Sequence, residues 1–399
     1  MVTYFKNSLL LRNSGKCDSY VFNGIKTFIF YMLNLALLLT TGCKEEYNPP
    51  VKAVETNNLV VEGFINAQGS TNIALSRTSL LKDTAVSNLE KGASIVIIGE
   101  DNSTIPLSEH TAGHYQSDSV SLNKNHKYRL QIQTEEGKLY QSDFLSVKKT
   151  PPIDSVSWRN ENDGVNIYVN SHDKPDNSRY YKWTYEETWA IRSQWAVLSG
   201  YVNRNVSATN TEETLKMYYC WHSQNSSAIL LGSTAQLSDN VISMIPLVNI
   251  PHYEEQLRIR YSILVKQVAL DKQAYEFYQV MKKNTETTGS VFAPLPTDLS
   301  TNMHCVSDPA EKVIGYMSVS AEESKRIFIS HEDIPGWNYQ SRCVSEFVDI
   351  SSSAAAFSNN GFIPYAIKTE GLNTLGFYAS TEECMDCRTR GSNVKPYFW

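Results

Sequence analysis

Tyr128-Arg129-Leu130-Gln131-Ile132-Gln133 decides the fold class. Apolar and polar residues alternate along it with a period of two. Tyr128, Leu130 and Ile132 therefore fall on one face of an extended chain, and Arg129, Gln131 and Gln133 on the other. A strand with one dry and one wet face needs a second layer to cover it. Downstream, Glu136-Gly137 turns the chain into Leu139-Tyr140-Gln141. Upstream, Ala93-Ser94-Ile95-Val96-Ile97-Ile98 is the short continuous run of a core strand, and Asn72-Ile73-Ala74-Leu75-Ser76 alternates again. Leu59-Val60-Val61-Glu62-Gly63-Phe64-Ile65 opens the series and ends in the turn Asn66-Ala67-Gln68-Gly69-Ser70. Strands at short intervals, with turn chemistry between them, predict an immunoglobulin-like β-sandwich over residues 57–150. Within it, Leu122 and Tyr128 suit a tyrosine-corner-like element.

The length of 399 residues suits two domains. Lys148-Lys149-Thr150-Pro151-Pro152 is the best internal boundary, being charged and proline-rich between two strand patterns. Beyond it, residues 151–399 read as a larger β-rich domain with one or more helices, so the fold class is mainly β. Ile153 to Trp158 restarts the β-pattern, and Asp163-Gly164 makes a hairpin turn into Val165 to Val169. Tyr180 to Tyr185 and Leu257 to Ile263 are further strands. One helix is predicted over residues 271–284: Asp271 caps it, and Ala274, Phe277, Tyr278 and Met281 form one stripe. Short strands at Val313–Val319, Arg326–Ser330 and Leu375–Ala379 follow.

The front of the chain has a different character. Lys26 precedes a nearly apolar run of 13 residues, Thr27 to Leu39. That is shorter than the ~20 residues of a transmembrane helix and matches the core of a signal peptide. Thr40-Thr41-Gly42-Cys43 then looks like a lipobox. In that pattern Cys43 receives a diacylglyceryl group and becomes the first residue of the mature chain. Residues 1–42 are thus expected to be a signal peptide, with 1–25 explained by a start codon assigned upstream of the true one. Lys44, Glu45 and Glu46 resemble a surface-export signal of Bacteroidota lipoproteins, and residues 43–56 read as a lipidated tether with an extended Pro49-Pro50. Removing residues 1–42 takes away four basic residues and one acidic one, leaving a net charge of −9. An acidic body excludes nucleic acid as a natural partner.

Segments spread along the chain resemble one family. They are Leu59-Val60-Val61-Glu62-Gly63, Pro151-Pro152-Ile153-Asp154-Ser155-Val156, Arg179-Tyr180-Tyr181-Lys182-Trp183 and Glu186-Glu187-Thr188-Trp189. Further on come Asp308-Pro309-Ala310-Glu311-Lys312-Val313-Ile314-Gly315-Tyr316, Arg326-Ile327-Phe328-Ile329, Asp386-Cys387-Arg388 with Gly391, and the terminal Lys395-Pro396-Tyr397-Phe398-Trp399. In this order they are similar to the Bacteroidota outer-membrane lipoproteins grouped as domain of unknown function 4249. The resemblance implies a chain anchored by lipid in the outer membrane, facing the cell exterior, with an accessory role beside a TonB-dependent receptor β-barrel. It brings no catalytic residues with it.

Of the seven cysteines, five remain once Cys17 is removed and Cys43 is lipidated: Cys220, Cys305, Cys343, Cys384 and Cys387. An exported chain meets an oxidising compartment, so disulfides among these five are expected. Two bridges and one free thiol allow 15 pairings, among which the sequence does not choose. Cys384-Met385-Asp386-Cys387 fits a redox pair, a metal pair or a structural bridge through one of its cysteines, the last being favoured. A zinc site would need two more ligands.

No constellation points to catalysis. The eight histidines contain no His-Glu-x-x-His, and there is neither a Gly-x-Ser-x-Gly elbow nor a phosphate-cradling glycine loop. His110 and His114 stand four apart in a β-pattern, and His331-Glu332-Asp333 suits a solvated turn. No metal or other cofactor is expected. Aromatic residues crowd residues 183–201, where exposed rings suit stacking on a ligand or anchoring a partner. Trp183 reads as core; Trp189, Trp195 and Tyr201 stay open between packing and contact. Asp83-Thr84-Ala85, Asp118-Ser119-Val120 and Asp154-Ser155-Val156 resemble an O-glycosylation pattern. The expectation is a non-catalytic surface lipoprotein that helps bind or take up a nutrient. The alternatives are a structural or adhesion module of the envelope and, behind it, a hydrolase with an unrecognised site.

Overall fold

The computed structural model describes residues 57–79, 88–174, 178–197, 199–202, 205–208, 211–286, 300–359 and 361–399. The signal-like run, Cys43 with Lys44, Glu45 and Glu46, the tether and Asp83-Thr84-Ala85 lie outside them. The fold is mainly β, as expected.

The strand Lys127–Gln133 buries Tyr128, Leu130 and Ile132 as its alternation requires. Around it one sheet runs in the order Met303–Cys305, Leu139–Ser142, Lys127–Gln133, Ser94–Gly99, Thr104–Thr111, His114–Ser117, Asn72–Arg77, Leu59–Asn66, Val313–Ile314. The inward residues of all these strands share one core, from Leu59, Leu75 and Ile97 to Tyr140, Met303 and Val313. The layers of this sandwich-like body therefore belong to one continuous sheet that wraps its own interior. The Tyr128 hydroxyl accepts from the Asn123 backbone N–H at 2.9 Å, as a tyrosine corner does.

This first core is not built from residues 57–150 alone. Residues 303–320 return to it, and Val313–Ile314 and Val319–Ser320 pair in parallel with the two ends of Leu59–Asn66. Parallel pairing needs a long crossover, here more than two hundred residues of intervening chain. Gly315 permits this close approach, and Gly63 permits that of the antiparallel neighbour Asn72–Arg77. Gly63 and Gly315 have φ of +131° and +150°, and a Cβ would stand 2.4 Å from the carbonyl oxygens of Asn72 and Val61 respectively. Gly315→Ala is expected to cost about 1–3 kcal/mol from backbone strain and this clash. An unchanged urea midpoint would refute the assignment.

The second core lies between two sheets. One holds Ile153–Glu161, Gly164–His172 and Val241–Pro251; the other holds Tyr219–Asn225, Tyr180–Arg192, Arg260–Leu270 and Glu322–Ser330, with Leu230–Ser233 paired to Tyr180–Arg192. Val165, Ile167 and Val169 of one sheet and Trp183, Tyr261, Ile263 and Val265 of the other belong to a single apolar cluster. Trp183 donates its indole N–H to Gln267 at 2.7 Å, and Gln267 donates onward to the Pro151 carbonyl at 2.8 Å. The proline-rich junction is thereby stitched to the second core, while Lys148 donates its backbone N–H to Val319 at 2.8 Å beside the first. Both cores belong to one compact unit.

Several elements differ from their expected extent. Tyr180–Arg192 is one 13-residue strand that includes Trp189, because cross-strand partners on both sides carry it past the irregular sequence pattern. Val313–Val319 contributes only its two ends as strand. Val241–Pro251 escapes sequence reading because Pro246 and Pro251 argue against a strand. Among the described strands it pairs only with Gly164–His172, which makes it an edge, where proline is tolerated. Pro364 likewise sits in Phe362–Glu370, which with Glu346–Asp349 and Asn373–Thr381 forms a small C-terminal sheet.

The expected helix is Lys272–Glu286. Asp271 caps it, its side chain accepting from the Ala274 N–H at 2.7 Å. Ala274, Phe277 and Tyr278 are buried, with Met281 packed beside them.

Candidate binding cleft

Tyr180–Arg192 ends at Arg192, next to the 3-10 turn Glu255–Leu257 that precedes Arg260–Leu270. Two later segments come to the same place: the loop Tyr339 to Cys343, and the C-terminal stretch from Thr381 to Arg390. Together they line a cleft of about 940 Å³. Its walls carry Arg192, Arg258, Arg342 and Arg390 against Glu254, Glu255 and Glu383, with His252, Tyr253 and Tyr339 between them.

Hydrogen bonds hold the floor. The Arg192 carbonyl accepts from Arg390 Nη2 at 3.2 Å and Arg258 Nη1 at 3.5 Å, and Gln194 Oε1 accepts from Arg258 Nη2 at 3.3 Å. Glu255 pairs through one oxygen with Arg390, and its other oxygen lies 3.6 Å from Arg258. One carboxylate thus serves two guanidinium groups. Burial and the neighbouring Arg192 charge push the Arg258 guanidinium below its ordinary value, Glu255 opposing. Arg258 also lies over the Tyr339 ring, 5.0 Å from its centroid, in cation–π geometry. Buried Trp337 donates its indole N–H to the Glu254 carbonyl at 3.0 Å, fixing the rim. Next to it Tyr253 takes a left-handed backbone with φ of +71°, uncommon for a residue with a side chain, and the residue is 63% exposed.

The five cysteines resolve into two bridges. Cys220 is joined to Cys387 and Cys343 to Cys384, with Cα separations of 5.7 Å in each, and Cys305 is free and buried. Cys384 and Cys387 therefore have different, distant partners and do not form a pair with each other. Cys343–Cys384 lies in the cleft wall and ties the Tyr339-to-Cys343 loop to the C-terminal stretch. Asp386, between the two bridges, accepts a fork from Arg388 at 2.7–3.0 Å, which holds the turn carrying Cys387. Cys305, at 3% exposure in the first core, is expected to escape alkylation by iodoacetamide in the native chain and to react after unfolding. Native labelling at that peptide, read by mass spectrometry, would contradict the burial.

The aromatic candidates separate. Trp189 is 8% exposed, part of the second core, with its ring 4.5 Å from that of His222, so it is a packing residue. Half-buried Trp195 stacks on Tyr365 with 5.0 Å between centroids and 10° between planes. Tyr201 lies on Ser199–Val202, which pairs with Asn205–Ala208. Neither Trp189 nor Trp195 lines the cleft. Among the described residues no cluster of three or more His, Cys, Asp or Glu has the arrangement to hold a metal ion. His110 and His114 are exposed on a hairpin, and His331–Asp333 is an exposed 3-10 turn. Asp118 and Ser119 are exposed in a loop, whereas Ser155 is engaged by Asn170 at 3.0 Å. Sequence reasoning missed the cleft arginines because they come from four separate segments and form no motif.

Fold and bridges together define a disulfide-braced, mainly β globular body with two cores and a charged cleft. The family model described as Domain of unknown function (DUF4249) matches residues 44–326, more than half of the chain, and the chain belongs to that family. Residues 339–343 and 381–390, which make one side of the cleft, lie beyond the matched span. No curated protein matches the chain.

Proposed function

We propose that the chain is a non-catalytic accessory in nutrient binding or uptake, held by lipid on Cys43 at the outer face of a Bacteroidota outer membrane beside a TonB-dependent receptor. The observation that carries the exported setting is the pair of disulfides, Cys220–Cys387 and Cys343–Cys384, which fit an oxidising compartment. The apolar run before Thr40-Thr41-Gly42-Cys43 supports export and lipidation at Cys43, and Lys44-Glu45-Glu46 supports the route to the surface. The cleft supplies a place for a ligand.

Mass spectrometry of the mature chain tests the anchor. An acylated Cys43 as first residue is the expected result; another N-terminus without acyl chains would refute it. Native purification from the membrane is expected to recover an outer-membrane β-barrel, and its absence would sink the receptor role. One observation favours a second reading, an adhesion or structural role in the envelope. Val344, Phe347, Ile350, Ile367 and Leu372, all exposed, gather on or beside the small C-terminal sheet. Deleting the gene separates the two: slowed growth on one nutrient supports uptake, altered surface architecture supports adhesion.

A further inference from the structure

Arg192 and Arg342 are exposed at the cleft and make no ion pair among the described residues. Arg258 and Arg390 share the single carboxylate of Glu255. Arg192 and Arg342 therefore present guanidinium groups that an anion entering the cleft would meet. The guanidinium fork matches a carboxylate in two parallel hydrogen bonds. The acids speak to the rest of the ligand. Glu254 and Glu383 are exposed on the same walls and also make no ion pair among the described residues. An ionised carboxylate accepts hydrogen bonds and donates none, so these two call for donors such as hydroxyl groups. A wholly anionic ligand would be repelled by them, and a wholly neutral one would leave the arginines unanswered.

Tyr253 adds an independent observation. Its left-handed backbone is strained for a residue with a side chain, and such positions cluster at ligand clamps. Here it holds an exposed aromatic ring at the rim beside Glu254.

We propose that the cleft binds a small hydroxy acid, its carboxylate held by Arg192 and Arg342 and its hydroxyls by Glu254 and Glu383. The proposal rests on the binding role inferred above and names the ligand class for it. The Cys343–Cys384 bridge, by tying down the loop that carries Tyr339 and Arg342, keeps the cationic wall in place.

A matched series of six-carbon probes tests this on the oxidised full-length chain in detergent, by calorimetry at low and high salt. Glucarate carries two carboxylates and four hydroxyls, adipate the carboxylates alone, and sorbitol hydroxyls without charge. Glucarate is expected to bind at least about tenfold more tightly than either, since each charge-assisted hydrogen bond lost is worth about that factor, and to weaken as salt is raised. Arg192→Ala and Arg342→Ala, both at exposed positions, are each expected to weaken glucarate by roughly tenfold while leaving the unfolding midpoint of the free chain unchanged. Adipate or sorbitol binding as tightly as glucarate would overturn the hydroxy-acid class while leaving a binding role intact. No binding of any probe, or glucarate binding untouched in the double arginine variant, would overturn the site itself. Recovery of a receptor β-barrel with the native chain is a separate readout and does not depend on any of these outcomes.

Discussion

Replacing Cys220 and Cys387 together by alanine is expected to lower the unfolding free energy by about 2–5 kcal/mol. The two residues are 167 positions apart, so the bridge closes a very long loop. Loop closure removes conformational freedom from the unfolded chain, and the saving grows with the logarithm of loop length. Both cysteines are fully buried, so the variant also loses packed sulfur from the second core. The structural consequence is local to one edge. Cys387 opens the turn Cys387–Thr389, and beyond it Trp221 and Ser392 exchange backbone hydrogen bonds at 2.8 and 2.9 Å. Freed of the bridge, the stretch bearing Arg390 is held to Tyr219–Asn225 by those bonds and by the one between His222 Nδ1 and the Arg390 carbonyl at 2.6 Å. Urea denaturation of the oxidised wild type and the double variant measures the difference. Equal midpoints would show that the C-terminal stretch is secured by other contacts, such as Arg326 over the Phe398 ring and Arg260 over that of Trp399.

The second large effect is expected at Glu311. Its carboxylate accepts from Tyr140 and from Lys138 at 2.6 Å each, and from Arg77 at 3.3 Å. Arg77 is itself paired with Glu90 at 2.6 Å. The side chains of Arg77 and Glu311 are only 8% and 10% exposed, while Lys138 reaches solvent, so the network is buried at its centre and wet at one end. It joins the returning segment 303–320 to strands of the first sheet. Glu311→Ala takes one acceptor from Arg77, which keeps Glu90, and leaves the buried Tyr140 hydroxyl without its carboxylate, so it is expected to cost about 1–3 kcal/mol. Glu311→Gln keeps the shape and is expected to lose less.

The network also sets a pH dependence. Burial pushes the Glu311 carboxyl up, but the hydrogen bonds from Lys138 and Tyr140 and the charges of Lys138 and Arg77 outweigh it. The net effect is a value below the ordinary 4.5. A carboxyl whose pKa is depressed in the folded chain stabilises it fully above the ordinary value. That stabilisation is lost as pH falls through the folded value. The gap between wild type and Glu311→Gln is therefore expected to be widest near neutral pH and to narrow below about pH 4.5. A gap independent of pH would mean that the ionised network contributes nothing specific.

Local elements were legible in the order of the residues. The alternation in Tyr128 to Gln133 made a strand, Asp271 began a helix, and Tyr128 reached back to Asn123. Each depends on side chains a few positions apart, where backbone sterics and hydrogen-bond reach leave few alternatives. The likeness of its scattered segments to one family was readable too, and Glu311 and Gly315 fall in one of those segments. Tertiary structure alone decided what joins distant segments. The return of residues 303–320 to Leu59–Asn66, the choice of Cys220 with Cys387 and Cys343 with Cys384, the burial of Trp189 and the meeting of four arginines at one cleft all arise from collective packing of two cores. No local period encodes which strand lies beside which, because that choice is made by the summed burial of many residues far apart in the chain.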